Sequence, residues 1–210
     1  MTPIILLGGG GHCRSLIDVI ERSGQFQITG IVDQPERVGD RVLGYPVIGC
    51  DTDLPAIARE VSHACVAIAR IKSTVLRREL TNRLEQLGVQ LPTIVSPLAY
   101  VSPHASIGAG TVVMHHAVIN AGARIGSSCI INTRALIEHD VVVEDFSHVS
   151  VAATLCGAVH VGEGSFVGAG ATCREGISIG ADCIIAMSEC VYRSVPPGTL
   201  FLRSEARSKD

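Results

Sequence analysis

From residue 95 to residue 191 one register holds without a break. Val95, Val101, Ile107, Val113, Ile119, Ile125, Ile131, Ile137, Val143, Val149, Leu155, Val161, Val167, Cys173, Ile179, Ile185 and Val191 follow one another at intervals of six. Four positions after each comes a second, usually small residue: Ala99, Ala105, Thr111, Ala117, Ala123, Cys129, Ala135 and so on. A period of six fits neither the 3.6-residue turn of a helix nor the two-residue alternation of a half-buried strand. It fits a triangular solenoid whose coil has three sides of six residues, with the aliphatic residue filling the prism, the small one near the corner and the others facing out. Seventeen hexads make between five and six coils of eighteen residues, and a narrow prism accounts for an aromatic content of 3% with no Trp. The pattern predicts a parallel β-helix over residues 94–210.

Residues 1–93 read as a different unit. IILL (4–7) is a short apolar strand, Gly8 to Gly11 a glycine turn, and Cys13, Leu16, Ile17 and Ile20 the apolar face of a helix. FQITGIVD (26–33) reads as a second strand, Leu54–Val61 as a helix capped by Asp53, and CVAIA (65–69) as a third strand. A last helix carries Val75, Leu76, Leu80, Leu84 and Leu87 on one face and stops at Gly88. Strands alternating with helices predict a small Rossmann-like parallel α/β domain. A glycine turn at a helix N-terminus can accept phosphate, and a carboxylate after the second strand, Asp33, can receive hydroxyl or imide hydrogen bonds. A nicotinamide-dinucleotide fold shares those marks, but Cys13 stands where its third glycine belongs.

An apolar fraction of 47% with 18% charged residues predicts a folded, soluble chain. A net charge of −3 argues against nucleic acid as a partner. The short apolar N-terminus has no basic flank, and no window approaches about 18 apolar residues, so neither a signal peptide nor a membrane span is expected and the cytoplasm is the predicted location. Eight cysteines without a CxxC pair read as reduced, buried small hydrophobes.

Within the hexads, His139 and His148 fall on the third and sixth positions, outside both interior slots, and are expected to stand exposed at one edge of the solenoid. One coil above His139 comes Gly157 and one coil below Ala121, which predicts open space on both sides of the ring. A neutral imidazole suits proton removal near pH 7, and Glu138 and Asp140 flank this one. Cys156 is a conceivable nucleophile that nothing marks as a low-pKa thiol. Arg70 and Lys72 either meet a phosphate or are solvated. The histidines His115, His116, His139, His148 and His160 leave a zinc enzyme open as an alternative, and a non-catalytic scaffold as another.

The hexads resemble the left-handed parallel β-helix of the hexapeptide acyltransferases. The segment NTRALIEHDVVVEDFSHVSVAATLCGAVHVG (132–162), with the opening strand and Gly8-Gly9-Gly10-Gly11-His12, the later IVDQ and LGYPVIG, is similar to the sialic-acid O-acetyltransferase and nucleotide-amino-sugar N-acetyltransferase family. That resemblance implies His139 as general base, Asp140 as the acid that orients it, and His148 and Asn132 in the acceptor site. It implies Gly10, His12 and Asp33 as contacts to a nucleotide-linked amino sugar, and acetyl-CoA as co-substrate passing near Gly157, with no metal. It further implies a homotrimer whose neighbouring copy completes the site, and either N-acetylation or O-acetylation of a sugar. The C-terminus, VPPGTLFLRSEARSKD, departs from the family's closing motif where Arg203-Ser204-Glu205-Ala206 stands.

Overall fold

A computed structural model describes residues 1–69 and 74–202 of the chain. Arg70, Lys72 and the segment from Arg203 onward lie outside the described residues.

The N-terminal unit is a five-stranded sheet in the order β3-β4-β2-β1-β5. Its elements are β1 (Thr2–Leu7), α1 (Gly11–Ser23), β2 (Phe26–Val32), β3 (Arg41–Val42), β4 (Tyr45–Gly49), α2 (Leu54–Ile57), β5 (Ala64–Val66) and α3 (Val75–Gln86). All pairings are parallel except the β3–β4 hairpin. β1 is buried on both faces, as a central parallel strand must be, and its apolar run Ile4–Leu7 is 0–1% exposed. Helix α1 buries Cys13, Leu16, Ile17, Val19 and Ile20 and ends on Gly24 in the left-handed region.

Two elements depart from expectation. α2 is a single turn, Leu54–Ile57, because the chain must turn through 58–62 to enter β5. Asp53 caps the preceding turn instead, its Oδ2 accepting from the Cys50 amide at 2.9 Å. In α3 the buried face is Arg77, Leu80, Thr81 and Leu84, while Val75 and Leu76 are 58% and 49% exposed. The solenoid supplies the reason, since the Arg77 guanidinium donates to the Ser128 carbonyl at 2.8 Å and Arg78 pairs with Glu163 and lies 4.5 Å from the Phe146 ring centre.

Beginning with β6 (Ile94–Val95) and running to β22 (Cys190–Val191), each hexad contributes one two-residue strand, and β23 (Leu200–Phe201) follows. From β6 to β22 each strand pairs in parallel with the one eighteen residues away, and β23 pairs with β21 at sixteen, which gives three sheets of seven, six and five strands and a left-handed parallel β-helix. The interior is the predicted set: Val113, Ile119, Ile131, Ile137, Val149, Leu155, Val161 and Val167 are 0% exposed. Thr111, Ser147 and Ser165 take small-residue slots, and their hydroxyls donate to the carbonyls of Gly126, Gly162 and Gly180, so no polar atom is stranded there. From Gly110 to Ser188 the fourth residue of every hexad has φ between 52° and 76°, which turns each corner.

One outer face is not solvent-facing. The strand positions that point outward on the seven-stranded sheet are Ile94, Val112, Ile130, His148, Phe166, Ile184 and Leu200. The first three, with Met114, form one core with α1 and the β1–β2 region. A second link joins Asp18 of α1 to His115, Oδ2 to Nε2 at 2.7 Å, with Ser96 Oγ 2.5 Å from His115 Nδ1. No described helix is long and apolar enough to cross a membrane.

Candidate active site

His139 closes β13 (Leu136–Ile137), just before a corner. Asp140, the fourth residue of the hexad, adopts φ 60°, and its Oδ2 lies 3.0 Å from His139 Nδ1. A carboxylate can only accept, so Nδ1 carries the proton and the Nε2 lone pair is left for chemistry. The ring is 63% exposed on the side chain. It does not stand clear of the coil above, as the hexad alignment suggested. A Cβ built on Gly157 would come 2.5 Å from Nε2 and 2.6 Å from Cε1, so the ring rests directly against the glycine backbone and would have to move to admit a side chain there.

The second histidine lies elsewhere. His148 points outward from the seven-stranded sheet, while His139 sits at the corner between the other two sheets, so the two do not share an edge in one chain. His148 is only 3% exposed because it stacks edge-on against Phe166, ring centres 5.1 Å apart, and follows Ile130 at the margin of the area covered by α1. Asn132, also expected at the acceptor, has its Nδ2 3.2 Å from His148 Nε2.

A cleft of about 710 Å³ opens on the N-terminal sheet, lined by Gly8 to His12, Val32 to Pro35, Cys50 to Thr52, Ala67 to Ala69, Leu76 and Leu80. It brings together the three predicted contacts Gly10, His12 and Asp33. Gly10 is the N-cap of α1 and no side chain caps the helix, which leaves its first amides for an anion. His12 Nε2 is buried and without a hydrogen-bond partner. Burial first, then the Arg77 guanidinium, lowers its imidazole from 6.5 to about 4, so it is neutral near pH 7. Asp33 is not wholly available: its Oδ2 accepts from the Gly9 amide at 3.1 Å and is paired with Arg37, which also donates to the Gly9 carbonyl at 3.1 Å. A Cβ at Gly9 would sit 2.6 Å from that carboxylate, so only glycine allows the clamp. Arg37, four residues after Asp33, and Arg77, on α3, are the site neighbours that sequence reading missed.

The remaining candidates fall away from both places. His115 is engaged by Asp18 and Ser96, and His160 Nε2 by Glu144 at 2.7 Å; among the described residues no group of three or more His, Cys, Asp or Glu could hold a metal. All eight cysteines are free, but only Cys13, Cys65, Cys129, Cys173 and Cys183 are buried. Burial, with Glu175 and Glu138 nearby, raises the Cys156 thiol, the opposite of an activated nucleophile.

Comparison with known proteins agrees with this architecture. Residues 3–84 match the family model described as the PglD N-terminal domain. Perosamine N-acetyltransferase from Caulobacter crescentus, solved in complex with CoA and GDP-perosamine, is 35% identical, with 94% of this chain and 91% of that one covered and a TM-score of 0.87. The acetyltransferase domain of PglB from Neisseria gonorrhoeae, solved with acetyl coenzyme A, is 32% identical over 94% of each chain, TM-score 0.85. WeeI from Acinetobacter baumannii shares the fold at 23% identity, with 96% of this chain and 97% of that one covered and a TM-score of 0.83. An α/β unit with a glycine turn, a left-handed β-helix docked beside it, and near-complete coverage at these identities place the chain in the nucleotide-amino-sugar N-acetyltransferase family.

Proposed function

We propose that the protein transfers an acetyl group from acetyl-CoA to the amine of a nucleotide-linked amino sugar, with His139 as general base. The observation that carries this reading is the His139–Asp140 pair: Nδ1–H is held by the carboxylate, and Nε2 is presented over the Gly157 backbone. In the step itself the acceptor nitrogen attacks the thioester carbonyl while Nε2 takes its proton; the C–S bond then breaks, the amide forms, and coenzyme A leaves. No acyl-enzyme is needed. Backbone amides near Gly157 stabilise the oxyanion, a contribution of about 10²–10³ in rate for one donor. Residues 1–93 serve as the nucleotide-sugar-binding unit, its diphosphate at the uncapped start of α1 and beside the neutral His12, and residues 94–210 as the transfer unit.

Since His139 and His148 occupy different parts of one solenoid, the site is completed in a homotrimer, His139 of one copy meeting the His148 face and cleft of the next. The chemistry suits the cytoplasm, where acetyl-CoA and nucleotide sugars are made.

Thiol release from acetyl-CoA across UDP-, dTDP- and GDP-linked amino sugars, with free sialic acid as a hydroxyl acceptor, tests the proposal. Release with one nucleotide-amino sugar, reduced about 10²–10⁴-fold in His139→Ala, is the expected result. Silence on every amine with turnover of the hydroxyl acceptor would instead make it a sugar O-acetyltransferase.

A further inference from the structure

The geometry points to Asn132 as a positioning residue that fixes His148 as a neutral imidazole with its proton on Nδ1. Two hydrogen bonds carry the argument. The Thr133 amide donates to one terminal atom of the Asn132 side chain at 2.8 Å. An N–H requires an acceptor, so that atom is the amide oxygen and the other is the NH₂ group. The NH₂ lies 3.2 Å from His148 Nε2. A group that can only donate faces that nitrogen, which must therefore accept and cannot carry hydrogen. A neutral imidazole with Nε2 bare is protonated on Nδ1.

The surroundings hold the ring in place. His148 is 3% exposed, with the Phe166 ring against it and Ile130 one coil below. Asn132 directly follows the strand Ile130–Ile131, whose neighbour in the seven-stranded sheet is His148–Val149, so the contact runs between adjacent coils on one face. Asn132 itself is half-buried and is spent on this pair of bonds. It thus acts through His148 instead of meeting the acceptor, and His148 carries its proton on Nδ1 and is not a second base.

The tautomer can be read directly from long-range ¹H–¹⁵N correlations of the full-length protein labelled at histidine, with the His148→Gln variant assigning the peak. Wild type is expected to show His148 as the Nδ1–H form throughout the range about pH 6.5–8. Asn132→Asp, nearly the same shape but an acceptor, is expected to move the proton to Nε2 or to produce the imidazolium. Asn132→Ala is expected to give a mixture. An Nε2–H or imidazolium signal in wild type, or an unchanged pure Nδ1–H signal in Asn132→Ala, overturns the assignment. Because these signals do not depend on any reaction, they stand apart from the proposed acetyl transfer. If that transfer is observed, Asn132→Asp should lower kcat by about tenfold, the order of one lost hydrogen bond, with the KM for acetyl-CoA little changed.

Discussion

Replacing Gly157 with alanine should separate stability from activity, with opposite signs. The new Cβ would sit 2.5 Å from His139 Nε2, whereas ordinary contact begins near 3.4 Å, so the ring must retreat by about 0.9 Å. The three atoms nearest that methyl all belong to the His139 ring, and Gly157 does not occupy the left-handed region, so alanine fits the backbone conformation without strain. The ring is largely exposed and can swing out at little cost. Loss of a glycine from the unfolded ensemble should then raise stability by about 0.4–1 kcal/mol. The displaced base is another matter, since a misplacement of about 1 Å can cost about 10²-fold in rate. Urea unfolding and thiol release from acetyl-CoA on the same preparation read both quantities. A variant within about threefold of wild-type turnover, or one that loses activity only because it loses stability, would refute the argument that Nε2 must rest on the Gly157 backbone.

His12 sets a pH dependence. In the fold its imidazole stays neutral down to about 4, whereas unfolded it protonates near 6.5; between those values the unfolded chain binds more protons, so stability rises with pH. Relative to neutral pH, urea midpoints should reveal a loss of about 2 kcal/mol from this group at about pH 5, absent in His12→Gln; equal slopes in the two proteins would remove it. Arg37→Ala releases both Asp33 and the Gly9 carbonyl, and should raise the KM for the nucleotide sugar about tenfold while leaving kcat near wild type, as steady-state kinetics would show. His115→Ala deletes the link from Asp18 to Ser96 and should lower the melting temperature by roughly 2–4 °C, the effect of about 1 kcal/mol in a chain of this size, measured by calorimetry.

The solenoid was legible because its interior leaves so little freedom: one aliphatic and one small residue per hexad repeat until they exclude other folds. The hexads left His139 between Glu138 and Asp140; the family resemblance named Asp140, and the corner at φ 60° is what brings that carboxylate to Nδ1. What the hexads hid was the outside. Ile94, Val112 and Ile130 lie eighteen residues apart at outward positions, a signal for a covering domain that is visible only once each corner is assigned to a face. Without that assignment His139 and His148 looked like two residues of one edge. Helix α3 misled differently. Its leucine pattern favoured Val75 and Leu76, but the solenoid offered carbonyls and acids to Arg77 and Arg78 and turned the helix accordingly. Asp33 follows the second strand at the cleft, but its clamp by Arg37 rests on a turn at Pro35–Arg37 that no periodicity announces.

The ladder running from Ile130 to His148 makes the distance between the α/β domain and His139 a matter of whole coils. Neighbouring strands are about 4.8 Å apart, so the solenoid is a ruler with divisions of that length. Inserting eighteen residues between Ile130 and His139 would slide the chemistry one division along the face, at the cost of the Arg78 contacts to Phe146 and Glu163. Acceptors whose amine lies nearer to or farther from the diphosphate could thus be matched by coil count alone, a change of specificity made by arithmetic with no residue of the pocket replaced.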